Sequence, residues 1–222
     1  MTPYYQDDSA TIYHGDCREM LPGLAFDCIV ADPPYGVSYE LKPVVVGKGN
    51  RRILRGGRPA LHGDSEPFDP SHLLATGKPL VLFGANYYSS KLPTSGGWIV
   101  WDKTGGGRGP DNSFTDVEMA WTNTRKNPMI LHHLWKGLVR DSEAGERVKH
   151  PTQKPVWLMA RVLEVVSVAG DVILDPYCGS GPTLRAAKDL GRKAIGIEID
   201  ERYCEIAARR MGQEVLDLDG AA

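Results

Sequence analysis

The sequence predicts an α/β fold with a mostly parallel sheet. Short apolar, β-branched runs alternate with helical repeats. Four of those runs end at or beside an acid, namely Asp16, Asp32, Asp175 and Glu198. The turns that follow two of them are built of proline or glycine. In such folds ligands sit at the carboxyl ends of the strands, near the point where strand order reverses.

Taken in order, residues 11–14 read as a short strand closed by Gly15-Asp16. Residues 17–24 carry Met20, Leu21 and Leu24 at helical spacing, and Pro22-Gly23 stops the helix. Residues 26–31 form an apolar run suited to a strand buried on both faces. It leads straight into Asp32-Pro33-Pro34-Tyr35. Residues 36–71, rich in Gly, Pro and Arg, predict a long, mobile basic loop. Strands are expected at 79–84, 98–101 and 117–122, with a short helix near 86–91 and a glycine-rich loop over 103–114. Residues 123–149 are polar, with cations and aromatics and no clear period. After Pro151 the pattern sharpens: a helix over 156–168, a strand over 171–174, a helix over 183–190, a strand over 193–199 and a helix over 202–211.

At 222 residues the chain is long enough for one large domain, or one domain with an insertion. Cys17, Cys28, Cys178 and Cys204 form no C-x-x-C pair, which argues against a zinc site or disulfide framework, so no metal is expected. No apolar run approaches the length of a bilayer span, and residues 1–8 do not resemble a signal peptide. The expected location is the cytoplasm, at the nucleoid. The net charge of −2 is silent about partners. The local pattern is not silent: Lys42, Lys48, Arg51, Arg52, Arg55 and Arg58 fall within 17 residues that hold no acid. A solvated loop and a phosphate-binding loop fit that pattern equally well. Lys103, Arg108, Lys126, Lys136 and Arg140 could add a second basic face. Tyr87, Tyr88, Trp98, Trp101, Trp121 and Trp135 are stacking candidates, most of them expected in the core. His132-His133 has no acids or cysteines at ligand spacing and reads as structural or near nucleic acid.

The sharpest local signal is Val172-Ile173-Leu174-Asp175-Pro176-Tyr177-Cys178-Gly179-Ser180-Gly181-Pro182-Thr183. It reads as a buried strand, a glycine turn and a helix whose first N–H groups are free. The third glycine of a dinucleotide fingerprint is missing. About twenty residues on, Glu198 closes the next strand, well placed to accept hydrogen bonds from two ribose hydroxyls.

The other signal is Asp32-Pro33-Pro34-Tyr35. Two prolines fix φ, remove donors and bar the residue before them from helix. The result is a rigid turn that presents carbonyl oxygens and a carboxylate, and Tyr35 can stack on a flat ring. Asp32 and the Pro33 carbonyl can accept both hydrogens of an aromatic amino group. That frees the nitrogen lone pair and stabilises positive charge growing there.

Together the two segments resemble the amino-group DNA methyltransferases, N6-adenine and N4-cytosine. The order, with Asp32-Pro33-Pro34-Tyr35 first and Asp175-Pro176-Tyr177-Cys178-Gly179-Ser180-Gly181 last, looks like their β group. The resemblance implies a Rossmann-like methyltransferase sheet with helices on both faces, circularly permuted and carrying long inserted loops. It implies S-adenosylmethionine as cofactor and double-stranded DNA as substrate, with the target base flipped out of the helix. Asp32, Pro33, Pro34 and Tyr35 would be catalytic. Gly15-Asp16-Cys17 looks like the segment whose acid binds the adenine of the cofactor. His150-Pro151-Thr152-Gln153-Lys154-Pro155 looks like the segment by its methionine end, held by Thr152 and Lys154. Asp32, Asp175, Tyr177, Gly179, Ser180, Gly181, Thr183, Glu198 and Ile199 complete the expected cofactor set. Pro182 stands where threonine is common, and Tyr177 where phenylalanine is usual. Lys48, Arg51, Arg52 and Arg55 would contact DNA, and 123–149 is a candidate target-recognition insertion. Adenine is favoured because the family's adenine enzymes commonly carry aspartate at the first tetrapeptide position. N4-cytosine methylation, RNA or protein amide methylation, and DNA binding without turnover are the alternatives. By the same analogy a homodimer is reasonable, as is a restriction-modification setting.

Overall fold

The computed structural model describes residues 1–37, 63–107, 115–137, 139–143 and 152–213, and the backbone at 45–46 and 53–54. In chain order the strands are β1 (Tyr5–Gln6), β2 (Ala10–His14), β3 (Cys28–Ala31), β4 (Val45–Val46), β5 (Ile53–Leu54), β6 (Leu80–Phe83), β7 (Gly97–Asp102), β8 (Val117–Thr122), β9 (Met129–His132), β10 (Trp135–Lys136), β11 (Val139–Arg140), β12 (Val172–Asp175) and β13 (Lys193–Glu198). The helices are α1 (Cys17–Met20), α2 (Ser71–Leu74), α3 (Val156–Val166), α4 (Pro182–Asp189) and α5 (Glu201–Met211).

The main sheet has the order β1-β2-β13-β12-β3-β6-β8-β7-β9. Strands β2, β13, β12, β3 and β6 run parallel to one another, and β1 is antiparallel to β2 at the edge. β8 is antiparallel to both β6 and β7, and β9 runs parallel to β7 at the edge. From β12 the chain moves to β13 on one side, and from β3 to β6 on the other. The strand order therefore reverses between β12 and β3, and the carboxyl ends at such a point are where ligands of open α/β sheets sit.

Side chains alternate across the sheet and build two cores. Cys28 and Val30 of β3 join Leu158, Val162 and Leu163 of α3, Leu184 of α4 and Cys204 and Ala207 of α5. Ile29 and Ala31 join Cys17, Leu21, Phe68, Leu73 and Tyr88 on the opposite face. β3 is buried at every position, as its continuous apolar run requires. Among the described residues the second face is covered by one-turn helices and 3-10 turns: Pro22 ends α1 after Met20, and Leu21–Gly23 tighten to a 3-10 turn.

Residues 123–149, without a readable period, contribute β9 to the sheet and the β10–β11 ribbon. Met129–His132 alternates half-buried and exposed, a weak signal at an open edge. Tyr88, Trp101, Trp121 and Trp135 are core residues, whereas Tyr87 is 53% exposed. Among the described residues no helix is long and apolar enough to cross a membrane, and no group of three or more metal-ligating side chains gathers.

Candidate functional site

Four acids meet at the carboxyl ends of adjacent strands. Glu198 of β13 is in register with His14 of β2, so Asp16 lies just beyond the same edge. Asp175 of β12 is in register with Gly196 of β13. Leu174 is in register with Ile29 of β3, which brings the Asp32 turn beside the glycine turn.

Asp32 sits in a closed network. Tyr35 donates its hydroxyl to Asp32 Oδ1 at 2.6 Å, and Lys154 Nζ donates to Oδ2 at 2.7 Å and to the Tyr35 oxygen at 3.2 Å. The same ammonium is ion-paired with Glu118 Oε2 at 3.1 Å, without hydrogen-bond alignment. Glu118 Oε1 accepts from Lys103 Nζ at 2.7 Å. Burial raises the Asp32 carboxyl above its ordinary value, with Lys154 opposing and Glu118 adding to the rise. Burial would lift Glu118 as well, but Lys154 and Lys103 outweigh it and hold it down to about 2. Burial works against the Lys154 charge, yet Asp32 and Glu118 together keep it firmly protonated. Burial, then the charge of Asp32, pushes the Tyr35 phenol far up, so it remains a donor.

The Tyr35 ring is boxed in. It stacks on Tyr87 with centroids 5.4 Å apart and planes 18° apart. Lys154 Nζ lies 5.6 Å from its centroid. Gly84, at φ 66°, forms a third wall, and a Cβ there would meet the Tyr35 ring at 2.1 Å. Beyond Tyr35, the Gly36 amide donates to Asp64 Oδ1 at 2.9 Å and the Val37 amide to the same oxygen at 3.3 Å. The chain that leaves at Val37 thus returns to the same place at Asp64. Lys48, Arg51, Arg52 and Arg55, between these points, lie outside the described residues, as do Lys42, Arg58, Arg108, His150 and Pro151.

The glycine turn is arranged differently. Gly181 takes φ 77° and closes on α5, where an added Cβ would come within 3.0 Å of Ala207 Cβ. Glu198 accepts the Gly179 amide at 2.9 Å on one oxygen and the Asp200 amide at 2.8 Å on the other. Burial raises Glu198, and those amides oppose the rise. Asp175 accepts the Tyr177 amide at 3.1 Å. Its carboxyl is pushed up to about 7, mainly by burial, with Asp32 and Glu198 adding like charge; Thr183 and the Tyr177 amide pull the other way. Thr183 Oγ1 is close enough to be felt there, but is buried without an aligned hydrogen-bond partner among the described residues. Ser180 donates to Gln153 Oε1 at 3.0 Å, linking the turn to the segment before α3.

Asp16 caps α1 by accepting the Arg18 amide at 2.9 Å, Cys17 is buried, and Ile199 is 39% exposed beside Glu198. Thr152 is half-buried, two residues before Lys154. The Tyr177 hydroxyl lies 3.1 Å from His72 Nε2, and its ring packs edge-on against Phe68. This hydroxyl, absent from a phenylalanine, ties the turn to α2. On the far edge His132 Nδ1 lies 2.8 Å from Asp102 Oδ2, and His133 stacks on Trp157 at 4.5 Å. A separate cavity of about 580 Å3, lined by Leu21, Leu24, Phe26, His72 and Val172, opens at the amino ends of β3 and β12 and includes none of the four acids.

From sequence, Glu118 is not assigned to the site and Gln153 is only part of a matched segment, while Lys103, expected on a second basic face, is instead buried on Glu118. Glu118 is the only charged residue of β8, which is a faint signal in itself.

A family model described as DNA methylase matches residues 100–209. The chain is 29% identical to the type II methyltransferase M2.LlaDCHI of Lactococcus lactis subsp. cremoris, covering 95% of this chain and 92% of that one. It is also 29% identical to the type II methyltransferase M.ScaI of Streptomyces caespitosus, covering 97% and 86%. Among solved structures it resembles the PvuII DNA methyltransferase (cytosine-N4-specific), with TM-score 0.62 and 15% identity over 96% of this chain and 89% of that one. The M1.HpyAVI-SAM complex gives TM-score 0.54 and 21% identity over 92% and 100%. These two likenesses show the fold, a Rossmann-like methyltransferase sheet.

Proposed function

We propose that this chain is a DNA amino-methyltransferase that moves a methyl group from S-adenosylmethionine to the exocyclic N6 of a flipped adenine. The observation that carries the reading is the junction of β3 and β12, which sets the Asp32 turn beside the glycine turn, near enough for the Asp32 and Asp175 charges to interact. The matched family and the type II relatives support DNA as the substrate class.

The donor set fits the cofactor. Asp175, Glu198 and Asp16 line the strand ends with carboxylates, Asp175 is raised chiefly by burial with like charge adding, and the buried Thr183 hydroxyl, close to Asp175, has no aligned hydrogen-bond partner among the described residues. Such a site favours a cation that also carries hydroxyl and amino groups. When bound, S-adenosylmethionine supplies a methyl group on a positively charged sulfur. Asp16 and Cys17 would face its adenine, and Glu198 and Ile199 its ribose. Asp175, Tyr177, Gly179, Ser180, Gly181 and Thr183 would form the wall beneath it. Thr152, Lys154 and Asp32 would stand toward the methionine end.

Asp32 and the Pro33 carbonyl accept the two hydrogens of the target amino group, and Pro34 holds their geometry. This frees the lone pair and stabilises the charge that grows on nitrogen. The Tyr35 ring would stack on the flipped base once Tyr87, its present stacking partner, gives way. Alignment of the two reactants supplies much of the remaining acceleration. Asp32 at the head of the tetrapeptide supports adenine over cytosine. Lys48, Arg51, Arg52 and Arg55, on a segment tethered at Tyr35, would grip phosphates of double-stranded DNA, giving salt-dependent binding. A homodimer, residues 123–149 as part of target recognition, and a cytoplasmic setting belong to the same proposal.

The test is to incubate the protein with labelled S-adenosylmethionine and plasmid DNA, RNA or protein, then digest and identify the product. N6-methyladenine is expected. N4-methylcytosine would overturn the choice of base, and label confined to RNA or protein would overturn the choice of substrate.

A further inference from the structure

Asp32 is engaged by the chain's own groups: Oδ1 takes the Tyr35 hydroxyl and Oδ2 takes the Lys154 ammonium. An ammonium on Oδ2 opposes positive charge developing on a nitrogen at the same carboxylate. Lys154 cannot simply leave, because its side chain is only 5% exposed and an unpaired buried ammonium is costly. Glu118 supplies the alternative: its Oε2 already lies 3.1 Å from Nζ, so a small rotation of the lysine suffices. Lys103 holds the other oxygen of Glu118 and keeps that carboxylate facing the site.

We propose that Glu118 is a positioning residue that gives the Lys154 ammonium a second seat, so that Asp32 can release its ion pair and turn Oδ2 to the incoming amino group. The inference rests on the methyl-transfer reading and adds the charge movement that reading requires. Glu118 touches no substrate atom in this account. It acts through Lys154, and Lys103 sets how strongly it pulls.

Asp32 is faced by Lys154 from the segment before α3, by Glu118 from β8 and by Tyr35 from its own turn. It is coupled by charge to Tyr88 after β6 and to Asp175 of β12. Replacing Glu118 leaves Lys154 wholly on Asp32, which lowers the pH at which Asp32 ionises. Replacing Lys103 frees Glu118 to draw Lys154 away, which raises it. The two variants therefore move the same titration in opposite directions.

The experiment measures Glu118→Gln, Glu118→Asp and Lys103→Met against wild type. One readout is the pH profile of kcat on plasmid DNA. The other is a carbon-13 titration of the Asp32 carboxyl in the cofactor-free protein. Glu118→Gln is expected to lower kcat by about 10- to 100-fold, the scale of a misplaced catalytic group. Its acid limb and its Asp32 titration should both move to lower pH. Lys103→Met should move both to higher pH, and Glu118→Asp should recover part of the lost kcat. Unchanged kcat in Glu118→Gln, a loss without a titration shift, or shifts of the same sign in Glu118→Gln and Lys103→Met would each overturn the proposal. If Glu118→Gln does not fold, the Lys103→Met titration decides alone, and no rise there overturns it. Wild-type protein that transfers no methyl to DNA refutes the proposed function instead, and the carboxyl titration still tests the ammonium seat.

Discussion

At the end of β3, Asp32 is met by a cation and a phenol, and Lys154 and Lys103 together balance its charge and that of Glu118. One strand away, Asp175 and Glu198 are met by backbone amides from Tyr177, Gly179 and Asp200, which carry no full charge. The first carboxylate is electrostatically satisfied before any ligand arrives. The second pair is left with excess negative charge in a desolvated place. On the proposed reading that difference sorts the roles: the glycine turn would attract a cation, and the proline turn would exchange one partner for another. Both acids are shifted upward chiefly by burial, Asp32 against the opposing charge of Lys154 and Asp175 against only neutral hydrogen-bond donors.

The sharpest way to break the comparison is Asp32→Ala. Methyl transfer should fall by about 10²–10³-fold or more, the scale of losing one preorganised electrostatic contact. Cofactor affinity by calorimetry should fall far less than transfer, because Glu118 still holds Lys154 at the methionine end. Wild-type turnover in this variant would remove Asp32 from the reaction. Glu198→Gln probes the other half. A lost charged hydrogen bond is worth about 1.5–3 kcal/mol, so cofactor affinity should drop about 10- to 100-fold. An unchanged Kd would show that Glu198 only braces Gly179.

Asp175 sharpens the contrast through pH. Its carboxyl is raised from 3.8 to about 7 in the folded chain. Between those values the unfolded chain binds fewer protons than the folded one at this group. Its contribution to stability therefore falls as pH rises through that window. The cofactor-free protein should show a Tm component that declines as pH rises from 3.8 to about 7, levels off above that and disappears in Asp175→Asn. A cation favours the ionised acid, so cofactor affinity should weaken as pH falls below about 7. A pH-independent Kd would contradict this assignment. The smallest effect is expected at Tyr87→Ala. Loss of one aromatic contact is worth about 0.5–1.5 kcal/mol, so KM for DNA should rise about 2- to 10-fold, with kcat little changed.

Local rules made much of this legible in the sequence. The buried strands at β3, β6 and β12 are continuous apolar runs, and the turns after β3 and β12 are dictated by Pro33-Pro34 and Gly179-Ser180-Gly181. What stayed hidden depends on contacts far apart in the chain. Glu118 meets Lys154 only because β8 runs antiparallel beside β6, and no spacing rule links residues 118 and 154. β9 was unreadable because one edge strand, half-exposed, has no strong period. Lys154 was legible as part of His150-Pro151-Thr152-Gln153-Lys154-Pro155, but its place on the Asp32 carboxylate depends on how α3 docks against β3 and β6.

The central claim is that both turns serve one cleft, and a structure of the protein soaked or grown with S-adenosylmethionine tests it most directly. The adenosine is expected against Glu198 and Asp16, with the methyl carbon directed at the corner made by Asp32 and Tyr35. A ligand bound elsewhere, or one whose methyl points away from Asp32, would contradict it.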